Sequence, residues 1–234
     1  MDQDVVQAVF SAFIVVAVML LVGFPVHEAL HAWTAQQLGD NTARWMGRVT
    51  LDPRVHFDQM GGLILAATAV LNALGIFGLL FGYAKPTPVN PSNMRHGRQG
   101  HALVAYAGPA SNIVIAVIVA IPMRLVYHSD MAYEIIVENR LGSLFWEVGW
   151  MLLVLNILLF VFNLIPIPPL DGWSVLKGIV PRDLAIRLED LEIQYANVIP
   201  MLFFGVLIVI WVGGGGILGD IIYGVVRLLL GIPS

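Results

Sequence analysis

VVQAVFSAFIVVAVMLLVGFPVHEALH, from Val5 to His31, is an apolar run that flows straight into two histidines and a glutamate. A cleaved secretory signal opens with Lys or Arg, has a shorter apolar core and ends at a small-residue site. Here Met1-Asp2-Gln3-Asp4 precedes the run, and it continues into His27-Glu28-Ala29-Leu30-His31. It reads as a retained transmembrane helix, about Val5–Gln36. Residues four apart on a helix share a face, so His27 and His31 can both reach one Zn²⁺, with Glu28 beside it to act on a bound water. Ionisable groups clustered on an apolar helix are costly in lipid and functional by default.

Composition agrees with a membrane protein. Of 234 residues, 58% are hydrophobic and 12% charged, against about 25% charged in a soluble domain; the mean hydropathy is +0.82. So few charges cannot coat a soluble exterior, and collagen-like repeats and disorder are excluded as well. The net charge of −4 leaves no basic surface for nucleic acid. With Cys at 0, disulfides, thiolate ligands and cysteine catalysis are ruled out. Any metal site has to be built from His, Asp or Glu.

Further apolar segments are Gly61–Tyr83, His101–Val126, Leu144–Leu170 and Val198–Val212. After the Gly213–Gly216 run, Ile217–Ile232 carries Asp220 and Arg227 and reads as an interfacial amphipathic helix, or as the return half of a hairpin. The polar connections are too short to hold a PDZ or CBS module. The expected fold is an all-α polytopic membrane protein with about four to six membrane segments. It forms one domain over 1–234, with a core at about 5–190 and C-terminal helices at 198–232. Thr42–Leu51 alternates apolar and polar residues and predicts a strand or short β-hairpin near the active site, able to hold an unwound substrate as an added strand. Lys85–Pro91 contains Pro86, Pro88 and Pro91 and must be extended.

A catalytic zinc takes three protein ligands and leaves a fourth position to water. Asp171 is the candidate third ligand, at the end of Asn163-Leu164-Ile165-Pro166-Ile167-Pro168-Pro169-Leu170-Asp171-Gly172. The prolines break the helix, and irregular backbone at membrane depth is tolerated only when buried in protein or lining a wet cavity. An ordinary interfacial Asp-Gly turn fits the same residues.

Together, His27-Glu28-Ala29-Leu30-His31 and Asn163-x-x-Pro166-x-Pro168-x-x-Asp171-Gly172 resemble the site-2 protease family of intramembrane zinc metalloproteases. The likeness includes Ala107-Gly108-Pro109-Ala110-Ser111-Asn112, Leu38-Gly39-Asp40, Gly47-Arg48, Leu51-Asp52-Pro53 and Lys85-Pro86-x-Pro88-Val89-Asn90-Pro91. This is the pattern of compact members without PDZ or CBS domains, and it covers roughly residues 20–190. The resemblance implies one zinc per chain, held by His27, His31 and Asp171, with Glu28 as general base and then acid. It implies proteolysis in or near transmembrane segments of single-span or other membrane-protein substrates, in a bacterial or archaeal cell membrane. It also implies that Asn163 holds the substrate backbone or the developing oxyanion, and that Asn112 does likewise or braces the helices. An interhelical hydrogen bond fits each asparagine too. His56 either approaches the zinc as an auxiliary electrostatic group or forms a surface pair with Asp58. His96, His101 and His128 lie near predicted boundaries and receive no role. The competing reading is a non-proteolytic protein of the same fold that binds a membrane partner; oligomeric state is not readable.

One zinc places the ends of the first span and of Leu144–Leu170 on one side of the membrane. Segment Gly61–Tyr83 must then start and finish on that side as a re-entrant element, with Asn72 and Gly75 offering a turn; a full crossing fits instead if the first helix places its histidines mid-membrane. The zinc side holds Arg44, Arg48, Arg54, Lys85, Arg95, Arg98, Lys177, Arg182 and Arg187, while the far side holds Arg124 and Arg140 beside Asp2, Asp4, Asp130, Glu134 and Glu138. By the positive-inside rule the zinc faces the cytoplasm.

Overall fold

A computed structural model describes residues 3–76, 80–212 and 216–233; Met1, Asp2 and Gly213–Gly215 lie outside the described residues. In chain order the helices are α1 (Gln3–Val18), α2 (Phe24–Gln37), α3 (Thr42–Trp45), α4 (Pro53–His56), α5 (Gln59–Ala73) and α6 (Gly97–Tyr127), then α7 (Arg140–Asn163), α8 (Asp171–Ile179), α9 (Arg182–Gln194), α10 (Ile199–Val212) and α11 (Gly216–Leu230). Helices α1 and α2 are joined by one π-helical turn, Met19–Gly23. Pro25, at the start of α2, has no N–H for the carbonyl four residues back and its ring crowds that carbonyl. The widened turn absorbs the conflict without ending the helix.

Among the described residues, Val9–Gln37, α6 and α7 are long and apolar enough to cross a membrane. A fourth candidate is α9 with the first part of α10, bent by 95°. Three spans fall below the expected four to six, and four reach only its lower edge. Helix α11 is amphipathic and lays Ile222, Val226 and Leu230 against Met123 of α6 and Leu153 and Ile157 of α7. Small residues let the central helices close up, as at Gly178, where an added Cβ would overlap Ala102, and at Gly149, where it would press on the Met123 side chain. The connection expected over Asp171–Asn197 is itself helical, as α8 and α9.

The Gly61–Tyr83 segment folds back on itself. Helix α5 ends in a turn at Gly75 (φ +69°); residues 77–79 lie outside the described residues, and the chain returns extended. On the return limb, Thr68 Oγ1 donates to the Phe81 carbonyl at 2.8 Å. Gly82 packs on Leu65, and the Tyr83 carbonyl occupies the space that a Cβ on Gly61 would need. Both ends of the segment therefore lie together, as the re-entrant reading requires.

The alternation over Thr42–Leu51 does not become a strand. No β-structure occurs among the described residues, so the short β-hairpin and the strand-addition role given to it are set aside. Asp40 decides the outcome: its buried carboxylate accepts from the Thr42 N–H at 3.1 Å and from Thr42 Oγ1 at 2.6 Å, at the start of the helical turn α3. The chain then turns at Gly47 (φ +69°), and buried Arg48 reaches the Val55 carbonyl at 2.6 Å. Local side chain-to-backbone bonds outcompete the extended pairing that alternation alone predicts.

Candidate metal centre

His27 and His31 stand on successive turns of α2, and Asp171 is the first residue of α8. The prolines after Asn163 end α7. Gly172 then tucks so close beneath the Leu164 and Ile165 carbonyls that no Cβ would fit. This sharp return brings Asp171 to the histidines, with its carboxylate at a helix N-terminus, where negative charge is favoured. Asp171 Oδ2 lies 3.1 Å from His27 Nε2 and 3.4 Å from His31 Nε2. One ligand atom from each residue falls within 4.8 Å of the others. The rings meet edge to face, with centroids 4.6 Å apart.

Each imidazole is held from behind. His31 Nδ1 lies 2.7 Å from the Val104 carbonyl, which can only accept, so Nδ1 carries the proton and Nε2 offers its lone pair. His27 Nδ1 lies 2.7 Å from Asn112 Oδ1. Tetrahedral ligands at about 2.1 Å from zinc sit about 3.4 Å from one another, close to the two separations observed. Gly108 of α6 faces the gap: an added Cβ would run into His31 Nε2 and lie 2.7 Å from His27 Nε2. The space is kept clear by the missing side chain, and the three donors fit a zinc ion.

The group opens on a cavity of about 360 Å³, whose wall includes His27, Glu28, His31, Thr87, His101, Asn163, Asp171 and Ser174. Glu28 Oε2 accepts from the Thr87 N–H at 2.8 Å and from Thr87 Oγ1 at 2.7 Å. Among the described residues Oε1 has no protein partner. Thr87 sits on the proline-braced strap Lys85–Pro91, which is pinned at both ends. The Lys85 N–H donates to the His56 carbonyl at 2.8 Å. Asp40 accepts from the Asn90 N–H at 2.7 Å and from Asn93 Nδ2 at 3.1 Å. Burial opposes ionisation of Asp40, but these donors and Thr42 outweigh it and hold the carboxyl below the usual carboxylate range.

Asn163 gives one N–H to the Leu159 carbonyl at 2.9 Å, leaving its other N–H and Oδ1 for the cavity. Asn112 is fully buried behind the site. His56 is not on this wall. Asp52 caps α4 by accepting from the Arg54 N–H, and the helical turn buries His56 with Nε2 2.8 Å from the Thr50 carbonyl. His56 borders a separate small cavity with Leu20, Phe24 and Tyr83.

The chain is 32% identical over 189 residues to "Putative zinc metalloprotease YwhC" of Bacillus subtilis, a match covering 80% of this chain and 78% of that protein. The chain belongs to the site-2 protease family of zinc metalloproteases. It is also 31% identical over 167 residues to "Putative zinc metalloprotease Rip2" of Mycobacterium tuberculosis, and 32% identical to the Rip2 of Mycolicibacterium smegmatis. These matches cover 71% of this chain and 58% of each Rip2. No family model and no solved structure matches the chain.

In this member of the family, zinc is the metal, and its apolar helices and bacterial relatives mark a bacterial membrane protein. Several wall residues did not stand out in sequence. Thr87 is the position between Pro86 and Pro88 that the quoted pattern leaves unspecified. His101 shares the α6 face of Val104, Gly108 and Asn112, at offsets of three, seven and eleven residues, a helical periodicity that would have placed it over the histidines. Nothing in sequence singles out Ser174.

Proposed function

We propose that the chain is an intramembrane zinc metalloendopeptidase that cleaves single-span or other membrane proteins in or near their transmembrane segments. One observation carries the reading: two imidazole Nε2 atoms, the Asp171 carboxylate and the Glu28 carboxylate share one polar cavity inside a bundle of apolar helices. His27, His31 and Asp171 would hold the ion. Zinc bound there supplies Lewis acidity, polarising a carbonyl and bringing the pKa of water toward neutrality. Glu28, fixed through Oε2 by Thr87, takes a proton from the attacking water and later delivers it to the leaving amine. Asn163 holds the substrate backbone through its remaining N–H and Oδ1. Asn112 acts on His27 rather than on substrate. His56 serves the site through its carbonyl, which anchors the strap at Lys85. The excess of Arg and Lys on the zinc side supports a site that faces the cytoplasm.

The test is paired. Zinc per chain is determined in detergent-purified wild type and Glu28→Gln, and both are incubated with a panel of single-span substrates. About one zinc in each form with cleavage by wild type alone is expected. Zinc in both with cleavage in neither favours a zinc-holding protein that binds a membrane partner, and absence of zinc from wild type overturns the reading.

A further inference from the structure

Asn156, in the middle of α7, is fully buried and belongs to none of the motifs quoted above. We infer that Asn156 is a positioning residue that fixes the tautomer and aim of His27 as a zinc ligand, acting through Asn112. This rests on zinc at His27, His31 and Asp171.

The direction of the chain of hydrogen bonds follows from one backbone group. Asn156 lies with one end of its amide 2.8 Å from the Leu152 carbonyl, which can only accept, so that end is Nδ2. Its Oδ1 therefore faces Asn112 at 2.9 Å, and the Asn112 group turned toward it must be Nδ2. The Gly23 carbonyl, 3.5 Å from the same nitrogen, demands the same orientation. Asn112 Oδ1 is left for His27, 2.7 Å from Nδ1, which must carry the proton. His27 Nε2 then keeps its lone pair and points at Asp171 Oδ2, 3.1 Å away. No member can be reversed alone without setting donor against donor or acceptor against acceptor. His31 needs no such relay, because the Val104 carbonyl meets it directly. The relay spans α7, α6 and α2, so it also ties the aim of His27 to the packing of those helices.

The experiment measures zinc affinity by chelator competition, and the visible spectrum of the Co²⁺ form, on the full chain in detergent. Metal-free thermal melts are run in parallel. Asn156→Leu keeps the volume but removes the 2.9 Å acceptor, leaving only the long 3.5 Å contact to the Gly23 carbonyl to oppose a turn of the Asn112 amide that sets Nδ2 toward His27. Zinc should bind about tenfold more weakly, the low end of the range for partners behind a metal ligand, and the Co²⁺ bands should shift. Asn156→Asp, buried and therefore protonated, donates its O–H to the Leu152 carbonyl and keeps an acceptor for Asn112, so it should restore both. In the double variant Asn112→Asp with Asn156→Leu, the carboxylate accepts from His27 whichever way it turns, so affinity should recover. A packing role for Asn156 would leave the double variant as weak as the single. If Asn156→Leu does not fold, Asn156→Ala makes the same comparison. Folded Asn156→Leu or Asn156→Ala with wild-type zinc affinity and Co²⁺ spectrum, or a double variant that stays weak, overturns the inference. Wild type that holds no zinc overturns the proposed function instead.

Discussion

Gly108→Ala tests the metal centre at the point where space is scarcest. The added methyl would overlap His31 Nε2 and lie 2.7 Å from His27 Nε2. Ordinary contact distances begin at about 3.5 Å, so the His27 ring must retreat by about 0.8 Å and the His31 ring by more. Metal–ligand distances tolerate only about 0.2 Å. Neither ring can yield that much while its Nδ1 stays bonded to Asn112 or Val104, so one ligand must be lost. We expect zinc to bind at least about 100-fold more weakly, which corresponds to about 2.7 kcal/mol. The fold should survive, because alanine is the better helix former by about 0.5–1 kcal/mol and the adjoining cavity gives a displaced imidazole room. The assay is zinc content and chelator competition in detergent, with the helical signal of the metal-free protein as control. Folded Gly108→Ala that carries zinc at wild-type affinity would refute the placement of the ion between the two Nε2 atoms.

Thr87→Val keeps the backbone N–H but removes the hydroxyl that donates to Glu28 Oε2. Hydrogen bonds to charged groups are worth about 1.5–3 kcal/mol, so kcat/KM should fall about tenfold while zinc content stays unchanged; Thr87→Ser should recover most of the loss, and loss of zinc in Thr87→Val would contradict the assignment. Asp40→Asn places an amide N–H against a donor the carboxylate accepts from, either the Asn90 N–H of the strap or the Thr42 and Asn93 N–H groups. Because the native carboxyl titrates below its ordinary value of 3.8, its contribution is fully present above that pH and is lost as pH falls through the folded-state value. Thermal melts should therefore show the variant below wild type at pH 7, with the gap closing as the pH drops below about 4; a gap independent of pH would count against the ionic role. Gly61→Ala would drive a methyl into the Tyr83 carbonyl, so the return limb should detach from α5 and the melting temperature should drop, and an unchanged melt would argue against the folded-back path.

How much of this could be read in sequence follows from how narrowly each task restricts residue type. Zinc accepts few donors and this chain has no cysteine, so His27, His31 and Asp171 were legible as candidate ligands, and the structure brings all three together. Long apolar runs were legible for a similar reason: lipid tolerates little else, and α6 and α7 lie close to where hydropathy put them. The helix break after Asn163 was written in prolines. Alternation over Thr42–Leu51 misled because a two-residue period records a possible pairing, whereas a buried carboxylate at Asp40 offers the backbone a nearer partner. Positions that orient the ligands were the least visible. The proton on His31 Nδ1 is directed by the Val104 carbonyl, a group that every residue carries, and Glu28 is held partly by the backbone N–H of Thr87. Asn156 and Asn112 meet only because two helices, 44 residues apart along the chain at that point, cross there. Ligand identity is therefore a property of residue type and can be read along the chain. Ligand orientation is a property of which acceptor a neighbouring helix presents, and it exists only once the helices have packed.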